Sequence, residues 1–256
     1  MVDSPLAVAL ITLICLVAGG LLGGALRRWL PVDGHLTKDA RDFVRLGAGL
    51  IGTMAALAMG LLVSSAKSSF DTINDGLING TSSRIDLDRL LAQYGPETKA
   101  ARDQLKHAFI LRIENFWPKD GDLEAGMEAE ELSTEWEELA KQIRILTPVN
   151  DEQAYLKATA LSIFGDGMKL RWSVEYAHSP PPRILLIVLI LWFTVLFTML
   201  GLLAQRNATL NVVVIACALA VAGGIFLILD MSGPFDGLFK VPRTPMENAL
   251  RHFGRE

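Results

Sequence analysis

The segment LGAGLIGTMAALAMGLLVSSA, Leu46 to Ala66, runs 21 residues without a charge, and Lys67 follows it directly. At about 1.5 Å rise per residue a helix of that length reaches roughly 30 Å, the thickness of a hydrocarbon core. Three other stretches share the property: Pro5 to Leu26, Ile184 to Gln205 and Asn207 to Leu229, of 22, 22 and 23 residues. Four transmembrane helices are therefore expected. The whole chain agrees, because 51% hydrophobic residues, 20% charged residues and a mean hydropathy of +0.34 leave too little charge for a fully wetted surface. A cleaved signal peptide is the alternative for the first stretch, but the leader MVDS carries an acidic residue where a basic one belongs.

Between the second and third stretches lie 117 residues, Lys67 to Arg183, with 14 Lys and Arg against 20 Asp and Glu. Their net charge of -6 exceeds the -4 of the complete chain, so the acidity belongs to this one block. Its apolar residues recur at helical spacing. Ile73, Leu77, Leu87, Leu90 and Leu91 carry the second span onward without a break until Gly95-Pro96 stops it. A second helix, with Leu105, Phe109 and Ile113, ends at Trp117-Pro118, since proline cannot continue a helix comfortably. A third carries Leu132, Trp136, Leu139, Ile143 and Leu146. A fourth carries Leu156, Ile163, Leu170 and Val174 with Ala160 and Gly167 between them, and Pro180 to Pro182 follow it. No stretch alternates with period two. The expected fold is an all-α membrane protein with four transmembrane helices and a helical extramembrane domain inserted between the second and third. Its expected parts are 1-66, a first transmembrane hairpin; 67-183, the acidic domain; 184-230, a second hairpin; and 231-256, a tail.

Membrane helices associate where small residues let backbones approach. The second span reads Ala48, Gly52, Ala56, Gly60, Ser64, Ser68, a small residue at every fourth position. The first span offers Gly19, Gly20, Gly23 and Gly24, and the fourth offers Ala216, Ala220 and Gly224. One interpretation is packing, within a subunit or between subunits, through Gly52, Ala56, Gly20, Gly24, Ala216, Ala220 and Gly224. The other is a pore lining, with Thr53, Leu57, Gly60, Leu61, Ser64, Ser68 and Asp71 facing a common axis. Hydroxyls suit water and ions there, and Leu57 and Leu61 suit an apolar constriction that gates by dewetting. The two are compatible. Lys67, Asp71 and Asp230 stand at helix rims, as solvated ends or as charged rings around an oligomer.

Other classes lose support. No ionisable residue lies within the four spans, which argues against a proton relay or a charged coupling site. The enzyme signatures HExxH, CxxC, a phosphate-binding loop and a serine elbow are absent from the sequence. His35, His107, His178 and His252 are scattered, and Cys15 and Cys217 make neither a disulfide framework nor a metal spacing with them. The acidic run Glu124 to Glu138 lacks the alternating ligands and glycine of a calcium loop. No clustered basic residues suggest nucleic acid. No catalytic residue, metal site or cofactor is expected.

Specific strings carry a resemblance. RLGAGLIGTMAALAMGLLVSSAKSSFDT, Arg45 to Thr72, is similar to the signature of a bacterial bestrophin-like membrane family. LLAQYGPETKAARDQLKHAF from Leu90, LGLLAQRNATLNVVVIA from Leu200 and IFLILDMSGPFDGLF from Ile225 resemble the same family, from about Leu13 to the end. In the last of these, Asp230, Pro234, Phe235 and Gly237 match the family's Asp-x-x-x-Pro-Phe-x-Gly motif, where proline and glycine imply a structural turn. Bestrophins are homo-pentameric ion channels whose second helix lines the pore and continues outside the membrane beside a large helical insert. The resemblance thus implies self-association, with a pentamer as the bestrophin form, inorganic ions as the transported species and the lipid bilayer as surroundings. The second span departs from bestrophins in offering Met54, Leu57, Met59 and Leu61 where they have an aromatic neck, and it shows no counterpart of their calcium clasp.

Orientation signals conflict. The leader has no Lys or Arg and the loop Arg27 to Arg45 has five, which by the positive-inside bias sets the N-terminus outside. Lys240, Arg243, Arg251 and Arg255 in the tail, with Lys67 and Arg183 flanking the insert, pull the other way. The resemblance favours both termini and the insert in the cytoplasm, with the spans in a bacterial inner membrane. The expected function is a homo-oligomeric ion channel or pore whose second span lines the conduction path. The alternative is a non-conducting membrane scaffold or sensor that recruits a partner through its acidic helical domain.

Overall fold

The computed structural model describes residues 4–29, 37–117, 129–177, 182–203, 208–235 and 237–253, and among them every regular element is a helix. The helices are α1 (Pro5–Trp29), α2 (Lys38–Tyr94), α3 (Lys99–Phe116), α4 (Ala129–Ile145), α5 (Asp151–Ala177), α6 (Arg183–Leu203), α7 (Ala208–Met231) and α8 (Thr244–Leu250), with a 3₁₀ turn at Pro96–Thr98. Four of them, α1, α2, α6 and α7, are long and apolar enough to cross a membrane. Helix α2 is one element of 57 residues, roughly 86 Å long. It stops where the sequence predicts. Gly95 takes φ 142°, a backbone open to glycine, and Thr98 donates its hydroxyl to the carbonyls of Leu91 and Gly95, closing the turn into α3.

The chain divides into two compact units, Met1–Phe70 with Ser179–Phe239, and Asp71–His178 with Lys240–Glu256. In the first, α1 packs chiefly on α6 and also on α7. The seam is glycine-lined. A methyl group on Gly19 would lie 2.8 Å from the Thr194 carbonyl oxygen, and one on Gly23 would overlap the carbonyl of Thr198 and the amide of Leu202. Gly201 of α6 meets Gly20 of α1 in the same way. Thr194 and Thr198 return their hydroxyls to the carbonyls of Ile190 and Thr194 at 2.7 and 2.8 Å, so neither hydroxyl is left bare in the seam. Arg27 reaches the Leu203 carbonyl at 3.4 Å, placing a cation at the negative end of α6. Around this seam Leu16, Ala55, Leu62, Leu189, Phe193, Phe197, Ala218 and Ile228 form the core.

The second unit buries Ile73, Leu77, Leu87 and Leu91 of α2 as the periodicity predicts, with Leu105, Phe109 and Ile113 of α3, Trp136, Leu139 and Ile143 of α4, and Leu156 and Ala160 of α5. Ile163, Gly167 and Leu170 are half-buried, while the side chains of Leu132 and Val174 lie outside the described residues. Asn150 caps α5 by accepting the Gln153 amide at 2.8 Å, and Lys157 donates to the Arg144 and Leu146 carbonyls at the end of α4. From Lys240 onward the tail belongs to this unit, while its first residues up to Phe239 belong to the first. Phe253 stacks on Phe109 with centroids 5.2 Å apart, and Trp117 donates its indole N–H to the Val241 carbonyl at 3.2 Å.

Candidate functional site

Helix α2 has two faces in the first unit. Ala48, Ala55, Leu62 and Ala66 are buried, spaced by seven, seven and four residues, and the last three belong to the core of that unit. Thr53, Leu57, Gly60, Leu61, Ser64 and Ser68 are all exposed, with Leu57 at 68% and Leu61 at 72%. At about 100° per residue, these six fall within an arc of about 100° on the opposite side of the helix. Asp71, half-buried, lies on the same arc at the start of the second unit. The outward face changes character along its length, from Leu46 and Leu50 at one end to Ser64 and Ser68 at the other. Thr53 spends its hydroxyl proton on the Gly49 carbonyl, leaving its oxygen lone pairs outward.

The small-residue line from Ala48 to Ser68 is not one face. Each step of four overshoots a 3.6-residue turn by about 40°, so five steps wind by about 200°. Ala48 is accordingly buried, Gly52 lies against Leu196 of α6, and Ala56, Gly60, Ser64 and Ser68 emerge on the outer side. A methyl added at Gly60 would meet nothing within 4 Å among the described residues. The same sorting applies elsewhere. A methyl added at Gly20 would face Val214 of α7, although the Gly20 backbone meets Gly201, and one at Gly24 would face nothing within 4 Å; the added methyls that collide are those of Gly19 and Gly23. In α7, Gly224 receives the tip of Met59, while Ala216 and Ala220 are exposed and Ala218 and Ala222 are buried.

Asp230 is neither a solvated helix end nor a rim charge. It is 2% exposed, and its carboxylate accepts the backbone N–H of Leu238 at 3.0 Å and of Phe239 at 2.8 Å. Gly237 takes φ 101°, and a methyl there would overlap the Asp230 carboxylate. Pro234 is buried and Phe235 half-buried, so the motif residues build a loop clamped onto the end of α7. Gly237→Ala is expected to cost about 2 kcal/mol, from the left-handed backbone and the overlap together. A thermal midpoint unchanged from the parent protein would count against the clamp.

Two features had no signal in the sequence. Asp88, with a side chain 3% exposed, holds Arg102 through Nε at 2.9 Å and Nη2 at 3.3 Å. Arg84 lies 4.8 Å over the Trp136 ring. In sequence, Asp88, Arg102 and Arg84 look like ordinary solvated charges. In the acidic run, Glu135 accepts from Gln104 and Glu138 pairs with Lys141 at 3.4 Å, Glu137 is exposed, and Glu124 and Glu128 lie outside the described residues. Cys15 and Cys217 are free thiols, and no group of His, Cys, Asp and Glu suited to a metal occurs among the described residues.

The family model of the Bestrophin-like domain matches residues 14–246. None of the curated proteins is significantly similar to the chain. Among solved structures, a bacterial bestrophin homologue from Klebsiella pneumoniae superimposes with a TM-score of 0.69 at 15% identity, covering 95% of this chain and 96% of that one. Two single-substitution variants of that homologue give TM-scores of 0.72 and 0.70 at 16% identity, covering 98% and 96% of this chain and 97% and 99% of theirs.

Proposed function

The chain belongs to the bestrophin-like family, and from that premise we propose that it is a homo-oligomeric ion channel of the bacterial inner membrane. Helix α2 lines the conduction path in this proposal, with Thr53, Leu57, Gly60, Leu61, Ser64 and Ser68 towards the axis and Asp71 following them. The observation that carries it is the two-faced character of α2. A helix buried on one side in its own subunit keeps an outward arc that mixes leucines with hydroxyls and a bare glycine. Lipid contact alone calls for apolar side chains throughout. An arc around a shared axis accommodates both kinds, the hydroxyls replacing water around an ion and the leucines forming a constriction that dewets. Rings of five subunits, with both termini and the domain 67-183 in the cytoplasm, complete the arrangement. Ala56, Ala216 and Ala220, exposed in the single chain, serve contacts between copies, where small residues let helices approach.

Planar bilayers holding the purified oligomer test the proposal. Single-channel currents are expected, with Leu57→Ser raising their amplitude or open fraction roughly twofold or more by wetting the constriction. Silent bilayers across several salts, from a folded oligomer, would contradict it.

A further inference from the structure

The end of the first unit at which α1 and α6 finish and α2 begins carries a surface that conduction leaves unused. Helices α1 and α6 run side by side in one direction, Gly19 meeting Thr194 and Gly23 meeting Thr198, and Arg27 reaches the Leu203 carbonyl where α6 ends. Gly52 of α2 lies against Leu196. Arg45 precedes Gly52 by seven residues and Leu203 follows Leu196 by seven, so the first turns of the returning α2 stand level with that end. The uncharged runs stop at Leu26 and resume at Leu46, which places this level where hydrocarbon gives way to headgroups.

Between Arg27 and Arg45 five basic residues stand against Asp33, Asp39 and Asp42. The two signs are sorted by helix face. At about 100° per residue, Lys38, Arg41 and Arg45 share an arc of about 60° on α2, and Asp39 lies about 100° from Lys38 and about 160° from Arg41. Asp42 borders the arc and pairs with Arg45 at 3.3 Å, and Asp33 lies outside the described residues. Arg28, Lys38 and Arg41 form no ion pair among the described residues. The C-terminal end of α1 favours a cation such as Arg28, but Lys38 and Arg41 occupy the first turns of α2, where the helix dipole disfavours one. An anion from outside the chain offsets them. Beside these charges, Trp29 is 90% exposed and continues a face with Leu22 and Leu26, exposed by 57% and 41% and spaced by four and three residues. An indole that closes a leucine face at this level is an interfacial anchor. The cations match a phosphate and the leucine face matches an acyl chain, whereas a soluble anion matches only the first.

We propose that this end of the first unit binds an anionic phospholipid, its phosphate drawn to Arg28, Lys38 and Arg41 and its acyl chain laid along Leu22 and Leu26 beside Trp29. The proposal needs a bilayer and not a pore, so it stands apart from conduction.

The full-length protein in phosphatidylcholine vesicles doped with brominated phosphatidylglycerol or brominated phosphatidylcholine tests it, because bromine on a bound lipid quenches a neighbouring indole. The difference between the parent and Trp29→Phe isolates this one of the five tryptophans. Brominated phosphatidylglycerol is expected to quench Trp29 at a severalfold lower content than brominated phosphatidylcholine. In Lys38→Gln with Arg41→Gln that preference is expected to fall about fivefold for each cation removed, while Lys240→Gln, an exposed cation of the tail, leaves it unchanged. Equal quenching by the two lipids, a double variant that matches the parent, or an equal loss in Lys240→Gln overturns the proposal. Should the double variant fail to fold, salt decides on the unaltered protein. Raising it from about 0.1 M to about 1 M shortens the screening length from about 10 Å to about 3 Å and is expected to erase most of the preference. A preference that survives unchanged overturns the site.

Discussion

Gly201→Val is expected to abolish most of the folded protein. Gly201 sits where α6 crosses α1, and a first added carbon already overlaps the carbonyl oxygen of Gly20 and lies 3.0 Å from its carbonyl carbon. The obstacle is backbone, which no rotamer change moves aside, and the reciprocal contacts of Gly19 and Gly23 hold the two helices at that distance. Separating them would strip contacts from Leu16, Leu189 and Phe197 in the core. The expected cost is about 3–5 kcal/mol, at the upper end for overpacking. Loss of the monodisperse detergent-solubilised species by size-exclusion chromatography is the readout. Gly24→Ala, with nothing within 4 Å, provides the control and is expected to leave the yield unchanged. Equal yields from Gly201→Val and the parent would mean that α1 and α6 do not cross there.

Arg102→Ala carries the second large effect. The guanidinium grips Asp88 at two oxygens, and the Asp88 side chain is only 3% exposed. Removing the arginine takes away a bidentate, charge-assisted partner and leaves the carboxylate in a place built for the pair. The expected loss is about 3 kcal/mol, or roughly 6–12 °C in the thermal midpoint for a unit of this size. The double variant Asp88→Ala with Arg102→Ala is expected to recover part of that loss, because it removes the stranded charge as well. A single variant within about 0.5 kcal/mol of the parent, the range of ordinary surface changes, would contradict the pairing.

The long helix was legible because three independent signals agree on α2: an uncharged run of 21 residues, an apolar face continuing from Ile73 to Leu91, and a Gly95-Pro96 stop. The faces of the helices were harder. Spacing by four looks like a stripe on paper and winds around a real helix, which is why Ala48 is buried and Ser68 is not. Among Gly19, Gly20, Gly23 and Gly24 the composition is uniform, and only the position of α6 decides that Gly19, Gly20 and Gly23 meet it closely while Gly24 meets nothing within 4 Å. Asp230 was visible as a motif residue, yet its partners are the backbone amides of Leu238 and Phe239, which any sequence would supply. Asp88 and Arg102 stand fourteen residues apart across the Gly95 turn, a spacing with no helical meaning. Arg84, Arg112 and Trp136 come from three different helices, so their meeting at one cavity is a product of packing.

The central claim is that the outward arc of α2 faces an axis shared between subunits. Electron cryo-microscopy of the purified oligomer in lipid nanodiscs, viewed along its symmetry axis, tests this most directly. The expected result is an axial opening walled by α2 of every subunit, with Leu57 and Leu61 at its narrowest part and Ser64 and Ser68 beyond them. An oligomer in which that arc faces lipid, or in which the axis is filled by other helices, would contradict it.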